Sequence, residues 1–203
     1  MQAFTHLRGA AAPLPIANLN TDVIIRIERL TALERDALGS YAFEALRYRA
    51  DGSEDPAFVL NQPDFRNAPI LIGGENFGCG SSREAAVWAL MARGIRCVIA
   101  PSYGDIFYNN CFQNGLLPIR LDRSLVQSLG SLALQGTPLE VDLARQQILA
   151  GTEVISFDLD PTRKEAMLRG LDSIGLTLLS RPRITAWQEA DRRTRPWAWP
   201  RNV

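Results

Sequence analysis

Residues 73–93 read GGENFGCGSSREAAVWALMAR, a glycine-dense turn running directly into an apolar helical stretch. Just upstream, Pro69–Ile72 is a short apolar run bounded by proline and paired glycines, the pattern of a buried strand. Gly78 and Gly80 flank Cys79 and allow backbone angles and close approaches that a Cβ forbids, which makes room for a ligand. Ser81 followed three residues later by Glu84 is a capping-box pattern and predicts a helix capped at Ser81, with Gly94 placed to end it in a left-handed turn. Such a turn aims unpaired N–H groups and the positive end of a helix dipole at one point, which suits a carboxylate or phosphate, and Arg83 adds a guanidinium at the same mouth. Chemistry alone leaves two readings open: a capped helix start with a solvated arginine, or an anion site. The stretch carries no G-x-x-x-x-G-K-[ST] and lacks the third glycine of the dinucleotide fingerprint, so it matches neither nucleotide motif.

Working outward, Cys97–Ala100 reads as a second apolar strand, Asp105 as a cap for the helix IFYNNCFQN, Gly115 as its end and Leu116–Leu121 as a third strand. Strand, helix, strand, helix, strand over 69–121 predicts a parallel α/β unit. Phe107, Tyr108 and Phe112 read as core aromatics, and Cys97 and Cys111 as small core hydrophobes. Residues 122–135 predict an amphipathic helix ending at Gly136, and Leu139–Leu143, Gln147–Ala150 and Glu153–Phe157 predict antiparallel strands around short turns. Asp160-Pro161 opens a further helix, and Asp172 reads as a turn or cap residue. Toward the N-terminus, Asn18, Asn20, Thr21 and Asp22 form a polar turn leading into Val23–Ile25, read as loop into strand, with Asp22 a turn-making residue on chemistry alone. Between Leu30 and Pro63 the pattern loosens and part of the segment is expected to be mobile. The basic end ADRRTRPWAWPRNV, with Trp197 and Trp199 between prolines, is equally compatible with docking on a partner and with disorder.

Composition narrows the function classes. The chain has 203 residues, with 22 basic and 22 acidic side chains, so no global field favours nucleic acid or an anionic membrane. No run approaches the length of a membrane span, and the N-terminus shows no signal-peptide core, so a cytoplasmic protein is expected. Three cysteines without C-x-x-C spacing and a single histidine, His6, argue against a disulfide framework, a self-contained metal site or a Ser-His-Asp triad.

ENFGCGSSRE closely resembles the signature of the swivelling domain of the aconitase superfamily, and specifically of the small-subunit family of 3-isopropylmalate dehydratases. Asn20-Thr21-Asp22 with Ile24-Ile25, the block IAPSYGDIFYNNCFQNGLLPI and the late GLDSIGLTL match the same family in the same order. The resemblance, over roughly residues 5–180, implies a three-layer β/β/α swivelling domain of the α/β class with a mixed sheet. Residues 1–180 would form that domain, 30–63 a mobile loop over substrate, and 181–203 a C-terminal helix and Trp/Pro tail. It also implies a heteromer in which a larger subunit carries a 4Fe-4S cluster, with no cofactor on this chain and no nucleic-acid or membrane partner. Dehydration and rehydration of a malate skeleton would then use Ser81 as base and Asp22 as a proton-relay partner. Arg83 and Ser82 would grip a substrate carboxylate, and Cys79, Gly80 and Arg47 would complete the substrate contacts, although an arginine on a surface helix is ordinarily just exposed.

The match has departures. Relatives usually carry proline after the Ile-Ile pair, where this chain has Arg26, and histidine and proline where it has Ala85 and Val87. These leave open a related acid, such as a methylated malate, citraconate, dimethylmalate or homoaconitate. A catalytically silent regulatory subunit and a free-standing anion-binding module are further alternatives; intact Ser81, Ser82, Arg83 and Asp22 argue against silence.

Overall fold

Four parallel strands make the middle of the molecule. They are β2 (Ala11–Leu14), β3 (Ile70–Gly73), β4 (Cys97–Ala100) and β5 (Leu117–Arg120), side by side in that order with Leu71 opposite Val98 and Ile99 opposite Ile119. The computed structural model describes residues 1–80 and 83–200. The central strands β3 and β4 are buried throughout, as near-continuous apolar runs in a parallel sheet covered on both faces require.

Alternation sorts the side chains into two cores. Leu71, Val98 and Ala100 face one way, into a core shared with Ala86, Val87 and Leu90 of α4 (Glu84–Ala92) and Phe107 and Cys111 of α5 (Asp105–Asn114). Ile70, Ile72, Cys97 and Ile99 face the other way, toward Val126, Leu129 and Ala133 on one stripe of α6 (Arg123–Leu134). The second core is closed by an antiparallel sheet of β1 (His6–Gly9), β6 (Leu139–Asp142), β7 (Gln147–Ala150) and β8 (Glu153–Ser156), which contributes Leu139, Val141, Ile148 and Ile155. The result is the expected three-layer α/β arrangement, with the parallel and antiparallel strands divided between two four-stranded sheets.

The parallel unit over 69–121 forms as read from the sequence, with Gly94 and Gly115 left-handed after the helices. The N-terminal reading needs correction. Val23–Ile25 does not become a strand: α1 (Thr21–Ile24) is one helical turn, because the Asn20 side chain accepts from Val23 N at 2.9 Å and Ile25 N donates to the Thr21 carbonyl. Strands β1 and β2 went unassigned in the sequence, and β2 contains Pro13, tolerated because β2 is an edge strand. The segment after α1 folds as α2 (Ile27–Leu30), a 3₁₀ turn Arg35–Tyr41 and α3 (Glu44–Arg47), pinned by the Arg29 guanidinium on Glu44, which holds that carboxyl below its usual range.

Asp160 caps α7 (Pro161–Arg169) by accepting from Arg163 N, and Asp172 caps α8 (Ser173–Leu178) by accepting from Gly175 N. Helix α9 (Arg181–Thr194) buries none of its residues, and Trp199 folds back to donate its indole N–H to Asp191 at 3.0 Å beneath the Arg192 guanidinium.

Gly78 has a φ of +71°, and a Cβ there would lie 2.3 Å from the Phe107 ring, which is itself buried. Gly78→Ala is therefore expected to cost about 2–4 kcal/mol and to lower Tm by roughly 5–12 °C. Gly130→Ala, inside α6 with its nearest contact 4.0 Å away, should instead raise Tm by roughly 2 °C. A scanning-calorimetry comparison showing both variants unchanged would contradict this packing.

Candidate functional site

The site lies beyond the carboxyl ends of the parallel strands, where open α/β sheets expose their loops to ligands. The turn after β3 is laced on both sides. Gly78 N donates to the Leu19 carbonyl at 2.7 Å, Thr21 N to the Cys79 carbonyl at 3.0 Å, and Asn20 and Cys79 form a parallel bridge. On the other side Asn76 N donates to Ser102 Oγ at 2.8 Å, Phe77 N to the Ser102 carbonyl at 3.0 Å and Gly104 N to the Phe77 carbonyl at 3.0 Å. Segments far apart in the chain thereby become one rigid lip, and their close approach requires glycine: at Gly104 a Cβ would sit 2.7 Å from the Gly78 carbonyl oxygen. Gly80, with φ +89°, completes the left-handed turn before the helix.

The capping-box expectation is corrected here. Helix α4 begins at Glu84 with Arg83 rather than Ser81 in the N-cap position, and the Arg83 side chain makes no cap bond. The Glu84 carboxylate accepts from Asn114 Nδ2 at 2.8 Å, a tertiary contact from 30 residues away.

Of the residues singled out by resemblance, Asp22 and Arg83 meet. The Arg83 guanidinium donates to the Asp22 carboxylate, with the arginine side chain 17% and the aspartate side chain 53% exposed. Two groups 61 residues apart in sequence thus share the mouth of the turn. Cys79 is half-buried within the lip beside Gly80. Ser81 and Ser82, the expected base and its neighbour, lie outside the described residues. Beside the ion pair opens a shallow cleft of about 310 Å³ lined by Asn20, Asp22, Val23, Arg26, Ile27, Glu28 and Ala45.

Arg47 is not the exposed surface arginine of ordinary expectation. It is 3% exposed, with Nε donating to Asn61, Nη1 to the Ser40 carbonyl and Nη2 toward Glu54, and it braces the 40–61 segment. Ala85 and Val87, two of the departures, are also buried, in the core beneath α4, whereas Arg26 lines the cleft. Sequence reasoning missed Asn114, which reads only as a helix end before Gly115 yet is buried with four polar partners.

Among the described residues no three His, Cys, Asp or Glu side chains come together as a metal site. Cys97 and Cys111 lie wholly inside, where burial pushes both thiols well above their ordinary range, a form unsuited to binding iron. These residues do not fit an iron–sulfur cluster. Among the described residues no helix is long and apolar enough to cross a membrane.

Residues 1–124 match the aconitase C-terminal domain family, and the chain belongs to that family. It is 52% identical to the 3-isopropylmalate dehydratase small subunit of Parvibaculum lavamentivorans over 97% of this chain and 100% of the relative. It is 51% identical to the protein of the same name from Paramagnetospirillum magneticum, with 97% and 100% covered. Among solved structures it resembles a 3-isopropylmalate dehydratase, LeuD, from Methanocaldococcus jannaschii, with TM-score 0.66, 26% identity and coverage of 90% of this chain and 99% of that one. Within the family it falls in the 3-isopropylmalate dehydratase small-subunit branch.

The thiols give a direct check. Brief alkylation of the folded protein at pH 8, read by peptide mass spectrometry, should modify Cys79 and spare Cys97 and Cys111 until denaturant is added. Labelling of the latter pair in the native state would contradict their burial.

Proposed function

We propose that this chain supplies one face of a composite active site that interconverts 2-isopropylmalate and 3-isopropylmalate through 2-isopropylmaleate, in leucine biosynthesis. Its partner on this reading is a larger dehydratase subunit holding the 4Fe-4S cluster, and the assembly works in the cytoplasm. The observation that carries the reading is the Asp22–Arg83 pair at the carboxyl edge of the sheet, in a chain matching the named relatives over nearly its whole length. A shallow, open cleft beside that pair is what half of a two-sided site would look like.

Each residue then has a chemical task. Arg83 presents a planar fork of N–H donors, only one of which is engaged by Asp22, so a substrate carboxylate can be gripped alongside or in exchange. Ser81 takes the proton from C3 as hydroxyl leaves C2, and returns a proton when water re-adds with the opposite regiochemistry. On this reading its alkoxide character is sustained by backbone N–H groups of the turn and by the Arg83 guanidinium. Ser82, Gly80 and Cys79 contribute to the carboxylate pocket, Asp22 steadies the proton relay, and Arg47 acts by holding the 40–61 segment that borders the site.

A second reading keeps the reaction and changes the acid. Arg26 lines the cleft next to Asp22, and its side chain is 55% exposed with only a loose pairing to Glu28 at 3.5 Å. A cation there favours a malate derivative whose substituent differs from an isopropyl group.

The test is to co-express the chain with its candidate large subunit, rebuild the cluster without oxygen and follow the unsaturated intermediate by ultraviolet absorbance across several malate derivatives. The first reading expects 3-isopropylmalate to lead, and the second expects another acid. Ser81→Ala should lower kcat by about 10²–10⁴-fold with assembly intact. Arg83→Lys should lower kcat/KM by about 10²-fold, because an ammonium cannot reproduce the fork. Near-parental turnover in either variant would remove that residue from its role.

A further inference from the structure

Asn114, the last residue of α5, is buried, and its carboxamide is fully engaged. Oδ1 accepts from Arg35 Nη2 and from Trp88 Nε1, each at 2.9 Å, while Nδ2 donates to Glu84 Oε1 at 2.8 Å and to the Asn110 carbonyl at 2.9 Å. Two donors and two acceptor lone pairs are all a carboxamide has. The pattern also fixes which way the amide faces, because the reverse orientation would set its NH₂ against the Arg35 and Trp88 donors.

The three elements joined are those that bear on the site. Glu84 is the first residue of α4 and follows Arg83, whose carbonyl accepts from Ala86 N in the opening helical turn. The Arg83 side chain does not cap that helix, and among the described residues the Asn114 bond is the polar tie on its first side chain. Arg35 belongs to the 3₁₀ turn Arg35–Tyr41, within residues 30–63, the covering segment that the resemblance implies, and its guanidinium also stacks over the Trp88 ring at 4.8 Å.

We infer that Asn114 is a positioning residue. It fixes the start of α4, and through it the direction of the Arg83 fork, and it ties this start to the covering segment by way of Arg35. The inference rests on the reading that Arg83 grips a substrate carboxylate.

A charge swap isolates the tie. Asn114→Asp keeps both acceptor bonds to Arg35 and Trp88 but sets a carboxylate against Glu84; the donor to the Asn110 carbonyl is lost as well, in this variant and in the double variant alike. Adding Glu84→Gln restores a donor to the contact between positions 84 and 114 with its direction reversed. The cost of an acidic group at the C-terminal end of α5 is common to N114D and to the double variant, so it cancels between them.

The readouts are hydrogen exchange of amides 84–88 in the full chain, and kcat and KM in the reconstituted complex. N114D should speed exchange at those amides about 10-fold, with α6 and the antiparallel sheet unaffected, and should lower kcat about 10- to 100-fold. E84Q/N114D should bring both back to within about 3-fold of the parent. Parental exchange and turnover in N114D, or a double variant as impaired as N114D, would overturn the inference. If exchange follows the expected pattern while the parental complex dehydrates no malate derivative, the tie stands and the dehydratase reading falls.

Discussion

The backbone lacing of the turn after β3 is the constraint on which the site depends. Hydrogen bonds on one side to Leu19 and Thr21, and on the other to Ser102 and Gly104, pull three loops into contact at a distance no side chain would permit. That is why Gly78 packs flat against Phe107 and Gly104 against the Gly78 carbonyl. Because all but the Asn76–Ser102 Oγ bond run main chain to main chain, the lacing leaves the polar side chains at the mouth free to serve chemistry. Phe77, Tyr103 and Phe107 form the aromatic floor beneath this lip, with Tyr103 anchored through its hydroxyl to the carbonyls of Val98 and Ile119.

What the sequence discloses and what it hides follow from the range of the interactions involved. The parallel unit is readable because β3 and β4 are unbroken apolar runs set off by glycine and proline, and its helices end on glycines that adopt left-handed angles. Strand β1, reading HLRG, has no such run, and β2 carries a proline, so neither announces itself. Val23-Ile24-Ile25 has strong strand propensity, yet one side-chain bond from Asn20 and burial of Ile24 and Ile25 turn it into a helix. The helix start is displaced from the Ser-x-x-Glu pattern, with Arg83 at the N-cap, and Glu84 meets Asn114, 30 residues away.

The candidate site is drawn from resemblance more than from spacing. Nothing in the interval between Asp22 and Arg83 predicts that they meet; parallel strand order and the lip bring them together. Physical reading leaves two choices at that turn, a plain helix start with a solvated arginine or an anion site with an arginine at its mouth. The family match supplied the aspartate, and the fold separated the departures, placing Ala85 and Val87 in the core and Arg26 at the cleft. Arg47 shows the converse, a residue ordinarily exposed that the fold draws inside with each of its three nitrogens hydrogen-bonded.

The two prolines at the rims of the parallel sheet have a consequence for assembly. Pro13 lies in β2 and Pro118 in β5, the outermost strands. Each strand is four residues long and would offer about two outward N–H groups, one of which proline deletes. Strand addition is thereby poorly templated at either rim, which discourages fibrillar stacking and sheet-to-sheet dimers. A second protein that joins this layer must do so through loops, helices and side chains, and the loop-bearing carboxyl edge is left as the natural meeting ground.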